Sequence, residues 1–364
     1  MDQFLKQQRK GKYLATNSSP KVLLVCNQGI YDAYVDPKEV HRLKKFATWD
    51  WLSYEGHNPD KESQVAKFLA AIHSMDGLII SHGSPIINAQ IMDAAPNLKI
   101  IGELEDDRFA NRIDLKEAWK RNICTVDTTN GSSYPVSEWA LALILISLRN
   151  AGFQFRRIIA GHTNMDPDTF KYAGGLLAKK RVGLIGCGHM GRHLVKHLQP
   201  FETEIWVYDP YLPSEMAESL GFLLTSLENI LSKCQVIVCL APLTPKTRGM
   251  IGENELNLIP SGTVLVNVSR GAIINSQALI KRLKRGDIIA GLDVFDPEPI
   301  PPDSEIIHLP NVFITPHSAY FTGNQYRESF GLMVDELDRF FHGHETYFNL
   351  TPRSLANRRG IDSD

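Results

Sequence analysis

Residues 180–209 read KRVGLIGCGHMGRHLVKHLQPFETEIWVYD. An apolar run is followed by the glycine pattern GxGxxG at Gly186, Gly188 and Gly191, then by an amphipathic stretch and a second apolar run. This order predicts a strand, a tight turn, a helix and a second strand, which together open a Rossmann-type parallel sheet.

Each glycine of this pattern suits the binding of a pyrophosphate. Gly186 permits the turn, Gly188 lets the backbone approach the anion, and Gly191 lets the helix pack closely on the strand. The free N–H groups of the helix N-terminus, at His189 and Met190, favour an anion by about 0.3 to 1 kcal/mol. The loop therefore predicts a dinucleotide site.

Asp209 closes the second apolar run, 18 residues after the last glycine. A carboxylate at this place is expected to bind the adenosine ribose hydroxyls, and it would repel a 2′-phosphate. No Arg or Lys follows directly in the sequence Asp-Pro-Tyr. We therefore predict NAD as the cofactor rather than NADP.

Three histidines, His189, His193 and His197, recur every four residues along the predicted helix. This spacing can ligate zinc, but no HExxH glutamate accompanies it. We interpret the histidines as a solvated polar face and expect no metal.

Short runs rich in Val, Ile and Leu recur along the whole chain. Near-continuous apolar runs mark strands buried on both faces, as in a parallel sheet covered by helices. They are KVLLVC, GLIISHG, KIIGEL and ICTVD in a first group, then RVGLIG, EIWVYD, VIVCLAP, TVLVNVS, IIAGLDVF and VFITPH. The pattern predicts an α/β protein with two doubly wound parallel sheets.

Two longer segments predict helices. PVSEWALALILISLRN, residues 135–150, is apolar nearly all round and must be buried; Pro135 suits its first position and Glu138 its first turn. Residues 321–342 carry apolar side chains at spacings of three and four. Residues 352–364 are polar without periodicity, so we expect them to fray.

Composition excludes several classes of protein. At roughly 150 residues per domain, 364 residues predict about two domains, and 43% hydrophobic residues exclude disorder along the whole chain. A net charge of -2 disfavours a nucleic-acid partner. The longest apolar run, residues 139–146, is far shorter than the roughly 20 residues that span a membrane. The polar, lysine-rich N-terminus and five cysteines without a CxxC pair predict a cytoplasmic, reduced protein.

Four further motifs follow the glycine loop: APLTPKTRGMIG from Ala241, VLVNVSRGAIINSQAL from Val264, AGLDVFDPEP from Ala290 and ITPHSA from Ile314. With these motifs the chain resembles the D-isomer-specific 2-hydroxyacid dehydrogenases. The resemblance covers nearly all of residues 136–319.

The resemblance implies a flavodoxin-like substrate domain and an inserted Rossmann NAD-binding domain. On this interpretation the substrate domain comprises residues 20–132 plus 320–350 and the NAD-binding domain residues 133–319. Residues 1–19 and 351–364 are then terminal tails.

The family's catalytic residues fall on Arg270 in SRG, Glu298 in PEP and His317 in TPH. The resemblance implies that His317 gives a proton to the carbonyl oxygen of a 2-oxo acid, a task that suits imidazole near neutral pH. Glu298 would orient and stabilise the charged ring, and Arg270 would grip the substrate carboxylate and polarise the carbonyl.

The family also implies contacts to the nicotinamide half of the cofactor. Pro242, Val268 and Ser269 would border the nicotinamide ribose, and Asp293 in LDVF would bind the carboxamide. An Asp that closes a buried strand can also simply cap the next turn, so both interpretations of Asp293 stay open.

One loop departs from the family pattern GxGxDxID. The aligned residues 107–114 read DRFANRID, so both glycines are missing, and Glu103, Glu105 and Asp106 precede them. These carboxylates either repel an anionic substrate or form a solvated loop, and we favour the solvated loop. Arg108, in Asp107-Arg108-Phe109, is a candidate anion clamp in place of the missing amides.

We therefore expect an NAD-dependent enzyme that transfers a hydride between the nicotinamide and C2 of a D-2-hydroxy acid or 2-oxo acid. The family's two-fold assembly implies a homodimer. An alternative is an NAD(H)-sensing, corepressor-like binding protein on the same scaffold, although a sensor has no need of a proton donor. A third, the 3-hydroxyacid dehydrogenases, shares GxGxMG but carries it at the start of the chain.

Overall fold

The computed structural model describes five stretches of the chain: residues 19–54, 61–104, 112–164, 175–323 and 325–359. They form two compact units, one made of residues up to Ser132 together with Gly323–Ala356, and the other of Ser133–Thr322. Each unit has a parallel sheet of its own.

All twelve strands described lie in these two sheets. The strands are β1 Lys21–Cys26, β2 Thr48–Ser53, β3 Gly77–Ile80, β4 Ile100–Glu103, β5 Cys124–Asp127, β6 Arg181–Ile185, β7 Glu204–Tyr208, β8 Leu223–Leu224, β9 Val236–Cys239, β10 Val264–Asn267, β11 Ile289–Leu292 and β12 Val312–Ile314. The helices are α1 Gln28–Tyr34, α2 Pro37–Leu43, α3 Lys61–Ile72, α4 Ala89–Asp93, α5 Leu115–Lys120, α6 Ser133–Leu148, α7 Ala151–Ile159, α8 His189–Leu198, α9 Ser214–Leu220, α10 Leu227–Lys233, α11 Glu253–Leu258, α12 Ser276–Leu283, α13 Gln325–Phe341 and α14 Pro352–Arg359.

The first unit has the strand order β2-β1-β3-β4-β5, and every pairing in it is parallel. This is the flavodoxin-like order of a doubly wound sheet. Helix α13 returns the chain to this unit and buries Phe330, Val334 and Leu337 against one face of the sheet. Its apolar spacing confirms the predicted helix, which begins at Gln325, four residues later than expected.

The second unit has the order β12-β11-β10-β9-β6-β7-β8, also parallel throughout. The chain starts in the middle at β6 and winds outward to both sides, as in a Rossmann sheet. The fold class predicted from the sequence is therefore confirmed.

The register of the second sheet aligns its carboxyl ends. Ile185 pairs with Cys239, Cys239 with Asn267, Asn267 with Leu292, and Leu292 with Ile314. Residues that directly follow these five strands therefore lie along one edge of the sheet, which is where open α/β sheets bind their ligands.

Helix α6 is buried, as its apolar composition predicts, with Leu143 and Ile144 fully covered. It begins at Ser133, so Pro135 occupies the third position and not the first. A 3-10 helix, Thr128–Ser132, leads directly into it. The proline is tolerated because the first four N–H groups of a helix have no partner within the helix.

The C-terminal segment corrects a second expectation. Residues 351–364 were expected to be a fraying tail, but Pro352–Arg359 form helix α14, and Leu355 and Ala356 are buried. Thr351 starts this helix by accepting a hydrogen bond from the Ser354 N–H at 3.0 Å. A local cap and two small apolar contacts are thus enough to order it.

Among the described residues, no single helix is long and apolar enough to cross a membrane. Helices α6 and α7 reach that length and composition only as a pair, and they are bent by 68° where they join.

Candidate active site

The glycine loop after β6 has the geometry that its sequence predicts. Gly186 has φ +90, and a Cβ there would lie 2.7 Å from the Ala241 backbone nitrogen, so a side chain does not fit. At Gly191 a Cβ would come within 3.1 Å of the Gly186 carbonyl oxygen. At Gly188, no atom of the described residues lies within 4 Å of such a Cβ. Backbone is therefore accessible at the start of α8, as a phosphate site requires.

Asp209 follows β7, and its carboxylate holds the glycine loop by a hydrogen bond. Its Oδ2 accepts the Cys187 N–H at 2.9 Å and its Oδ1 the Tyr211 N–H at 3.0 Å. Each carboxylate oxygen can accept a further hydrogen bond, so the group still suits ribose hydroxyls. Burial raises the pKa of the Cys187 thiol to about 12, so this cysteine is a packing group and not a nucleophile.

Two of the three histidines of α8, His193 and His197, pack around an aromatic ring and are only partly exposed, which corrects the expectation of a fully solvated face. The Tyr134 ring lies 5.2 Å from those of His193 and His197, in edge contact with both. Burial lowers the pKa of His193, and the neighbouring cations Lys196, His197 and Arg192 add to this effect. His189 is the first residue of α8, in the glycine loop. Among the described residues, no group of three His, Cys, Asp or Glu side chains is placed to hold a metal ion.

His317 and Glu298 are brought together although 19 residues separate them. The His317 Nδ1 lies 2.9 Å from the Glu298 Oε2, and the two side chains are 38% and 35% exposed. This contact fixes the ring orientation and leaves Nε2 as the nitrogen that can exchange a proton with a bound molecule. His317 has φ +53, a left-handed conformation that is uncommon for a residue with a side chain and often found at functional sites.

Asp293 holds the turn that carries His317. Its side chain is fully buried, and its Oδ1 accepts from the Thr315 hydroxyl at 2.5 Å and the Ser318 N–H at 2.9 Å. Its Oδ2 accepts the Ala319 N–H at 3.0 Å. The backbone N–H of His317 itself donates to the Asp293 carbonyl at 2.8 Å. Asp293 therefore caps this turn, which is one of the two interpretations that the sequence left open.

The hydroxyl of Thr315 links this turn to α6. The indole nitrogen of Trp139 lies 3.3 Å from the Thr315 Oγ1, so a buried helix adds a further restraint. The motifs did not single out Thr315 or Trp139, since a link between distant segments leaves no local signal in a sequence.

Arg270 lies on the loop after β10, at the same edge of the sheet as His317. Its Nη1 donates to the Ser269 carbonyl at 2.8 Å, and the Asn267 amide donates to the Arg270 carbonyl at 3.1 Å. A Cβ on Gly271 would overlap the Phe295 backbone, so the loops after β10 and β11 are in direct contact. The Arg270 loop therefore lies against the segment that leads to Glu298.

The residues predicted beside the nicotinamide ribose follow β9 and β10. Val268 and Ser269 are buried, and the Ser269 hydroxyl donates to the Ala241 carbonyl. The Pro242 carbonyl accepts from the Thr247 hydroxyl at 2.6 Å. The Ser269–Ala241 bond joins the ends of β9 and β10, and the Thr247–Pro242 bond closes the turn that follows β9.

The altered loop lies largely outside the described residues, including Arg108, Glu105 and Asp106. Glu103 is described, and it corrects the expectation of a solvated acidic loop. It is fully buried at the end of β4, and its Oε1 lies 2.7 Å from the Arg112 Nη1. The Arg112 Nη2 lies 2.7 Å from the His82 Nδ1. The Glu103 carboxylate is thus neutralised by a cation from the same loop.

The comparisons with known proteins agree with this architecture. The model of the family described as "D-isomer specific 2-hydroxyacid dehydrogenase, NAD binding domain" matches residues 141–319. A glyoxylate reductase from Korarchaeum cryptofilum is 32% identical over 291 residues, which cover 80% of this chain and 85% of the relative. The chain belongs to the D-isomer specific 2-hydroxyacid dehydrogenase family.

Other members of the family differ in length. A D-3-phosphoglycerate dehydrogenase from Methanocaldococcus jannaschii is 31% identical over 279 residues, which cover 76% of this chain and 52% of the relative. The chain thus spans about half the length of the phosphoglycerate dehydrogenases it matches. A phosphoglycerate oxidoreductase structure from Rhizobium etli superposes with a TM-score of 0.76 at 21% identity, over 91% of this chain and 98% of that one. This likeness shows the shared fold.

Proposed function

We propose that this protein is an NAD-dependent oxidoreductase that transfers a hydride between the nicotinamide and C2 of a D-2-hydroxy acid or its 2-oxo acid. The hydrogen-bonded His317–Glu298 pair, at the sheet edge that also carries the glycine loop, supports this proposal most directly. The test is a panel of 2-oxo acids, glyoxylate among them, with NADH.

The residues present fit a dinucleotide. The exposed backbone at Gly188 and the N-terminus of α8 suit the pyrophosphate, and Asp209 suits the adenosine ribose. Asp293, Pro242, Val268 and Ser269 remain our candidates beside the nicotinamide. When bound, NAD would supply or accept the hydride, and the chain would supply the proton and the charge stabilisation.

His317 is the proposed proton carrier. In reduction of a 2-oxo acid, Nε2 of the imidazolium would donate its proton to the carbonyl oxygen as negative charge develops there. Glu298, in contact with Nδ1, would stabilise the charged ring and keep Nε2 aimed at the substrate. In the oxidative direction the neutral imidazole would take the hydroxyl proton.

Arg270 is the proposed substrate clamp. A guanidinium presents a planar pair of donors to a carboxylate and stays charged at any pH the protein meets. Its Nη1 donates to the carbonyl of the preceding residue, Ser269. We expect a substrate carboxylate to replace that contact and the guanidinium to polarise the C2 carbonyl.

Cofactor preference gives a first prediction. Because Asp209 would place a carboxylate against a 2′-phosphate, we expect NADH to bind at least about tenfold more tightly than NADPH. Titration of the protein with each cofactor, followed by nucleotide fluorescence, measures both dissociation constants. Equal or tighter binding of NADPH would refute the assignment of Asp209.

We also propose a homodimer formed through α7. Three side chains on this helix, Phe155, Ile158 and Ile159, are 67%, 55% and 73% exposed, and such an apolar patch is typical of a protein interface. A two-fold contact would cover the same patch on both copies.

We place the protein in the cytoplasm, where its five free cysteines would stay reduced.

The assembly is tested with one charge substitution. Ile159→Asp should convert the sedimentation behaviour from that of a dimer to that of a monomer, because the buried interface would have to accept two unpaired carboxylates. Lys179→Asp, an exposed control elsewhere in the same unit, should leave the assembly unchanged. A wild-type monomer at micromolar concentration would contradict the proposal.

The sensing alternative makes a different prediction for the same experiments. A protein that only reports NADH would bind it and leave every 2-oxo acid of the panel unreduced. No feature of the described residues favours this alternative over the enzyme, since the structure pairs His317 with Glu298 in the way a proton donor requires.

A further inference from the structure

The strand that leads to His317 lies at an edge of its sheet. Strand β12 has only three residues and lies at the edge, paired with β11 on one side. An edge strand presents unpaired backbone groups along its outer side. His317 follows the end of this strand by three residues, so a shift of β12 would carry the imidazole with it.

Arg156 on α7 binds the backbone that enters this strand. Its Nη1 donates to the Val312 carbonyl at 3.2 Å, and its Nη2 donates to the Leu309 carbonyl at 3.0 Å and the Pro310 carbonyl at 3.5 Å. The Asn150 amide adds a hydrogen bond to Pro310 at 3.2 Å. The start of β12 is therefore anchored from the side that faces away from β11.

Helix α7 also packs closely against strand β12. A Cβ on Gly152 would lie 2.5 Å from the Phe313 ring, so a glycine is needed for this close approach. Gly152 and Arg156 are four residues apart and therefore lie on one face of α7.

The partners of Arg156 are unusual for a cation. Among the described residues, none of its contacts is an ion pair with a carboxylate, and all three acceptors are backbone carbonyls of one segment. Burial lowers the pKa of the guanidinium, so desolvating this charge is unfavourable. A partly buried cation that donates to three carbonyls of one segment indicates that it fixes the position of residues 309–312.

We propose that Arg156 is a positioning residue for His317. It holds the outer side of β12, while Asp293 holds the turn that follows, and together the two restraints keep the imidazole against Glu298. This inference rests on the proposed function, because His317 has a proton to deliver only if the chain is a dehydrogenase. It assigns a role in the reaction to a residue that touches neither the substrate nor the cofactor.

The expected size of the effect follows from the geometry of proton transfer. A misplacement of a reacting group by 1 Å costs on the order of 100-fold in rate. Arg156→Met keeps the aliphatic stem and removes every donor, so we expect kcat to fall about 10- to 100-fold. The KM for NADH should stay within about twofold, because the glycine loop lies on other strands of the sheet.

Two variants make the test specific. Arg156→Lys restores a cationic donor and should recover part of kcat. Arg157→Met changes the next residue of the same helix, whose guanidinium lies over the Phe153 ring and toward the Asn164 carbonyl, away from β12. It should match the wild type in kcat.

A spectroscopic measurement separates this inference from the proposed function. The imidazole ¹⁵N shifts of His317 report whether Nδ1 is hydrogen-bonded to Glu298, and they need no substrate. We expect that signature to weaken in Arg156→Met, and amide exchange over residues 309–319 to quicken, with both unchanged in Arg157→Met. Unchanged His317 shifts or an unchanged kcat in Arg156→Met would overturn the positioning role. A wild type that reduces no 2-oxo acid while Arg156→Met still loses the His317 signature would overturn the proposed function alone.

Discussion

His317→Ala is expected to lower kcat by about 10²- to 10⁴-fold, the range that a positioned general acid contributes. Without the imidazole, the oxygen that gains charge at C2 would lose the proton donor that we propose for it. NADH binding should survive, since the glycine loop and Asp209 lie after β6 and β7. Stopped-flow turnover and NADH titration of the same variant measure both quantities.

Glu298→Gln and His308→Ala refine this result. Glu298→Gln keeps a hydrogen-bonding group at Nδ1 but removes the charge that stabilises the imidazolium, so it should lose less activity than His317→Ala. His308→Ala changes an exposed histidine of the same unit and should match the wild type. Full turnover in His317→Ala would remove this residue from the mechanism.

Arg270→Ala is expected to produce the second large loss, about 10²- to 10³-fold in kcat/KM, as when a preorganised donor to a developing oxyanion is removed. The loss should appear in both KM for the acid and kcat, because the guanidinium is proposed to bind the carboxylate and polarise the carbonyl. Arg270→Lys should recover only part of it, since an ammonium lacks the planar pair of donors.

The control for Arg270 is Arg285→Ala, which removes an exposed guanidinium whose partner is the Asn257 side chain. It should leave both kinetic constants unchanged. An Arg270→Ala variant that keeps its affinity for the acid would show that the carboxylate is held elsewhere. Arg108, which the sequence offers as an anion clamp and which lies outside the described residues, would then be the candidate.

The sequence predicted every central strand of the two sheets and also the edge strands β5 and β12. KVLLVC, RVGLIG and TVLVNVS are buried on both faces, and that burial is what a continuous apolar run reports. Strand β2, TWDWLS, was missed because none of its residues is fully buried, so its sequence has no continuous apolar run. Strand β8 has two residues, too few to produce any pattern.

In the candidate site, too, features formed by residues close together in the sequence could be predicted, and contacts between distant residues could not. The glycine loop could be predicted because its turn and the N-terminus of α8 lie within a few residues of each other in the sequence. Its close approach to Ala241, which is distant in the sequence, could not be predicted. Glu298 and His317 could be placed only through the family resemblance, since their contact joins two loops. The pairing of Glu103 with Arg112 could not be predicted, because a run of acids in the sequence does not show which of them turns inward.

The role of Asp293 could be predicted only in part. Its position directly after a buried strand allowed both a ligand and a cap, and the structure shows the cap. The cap uses three hydrogen bonds, and a carboxylate can accept about four. A contact with a carboxamide would also require the fully buried side chain to become accessible, so Asp293 stays a candidate cofactor contact only as the family resemblance implies it.

The most direct test of the proposed function is the loss of NADH absorbance with a panel of 2-oxo acids, run on the wild type and on His317→Ala side by side. We predict that at least one acid of the panel is reduced by the wild type and that the same acid is left almost untouched by the variant. Binding of NADH without reduction of any acid, or equal rates in the two proteins, would contradict the proposal that His317 serves a hydride transfer.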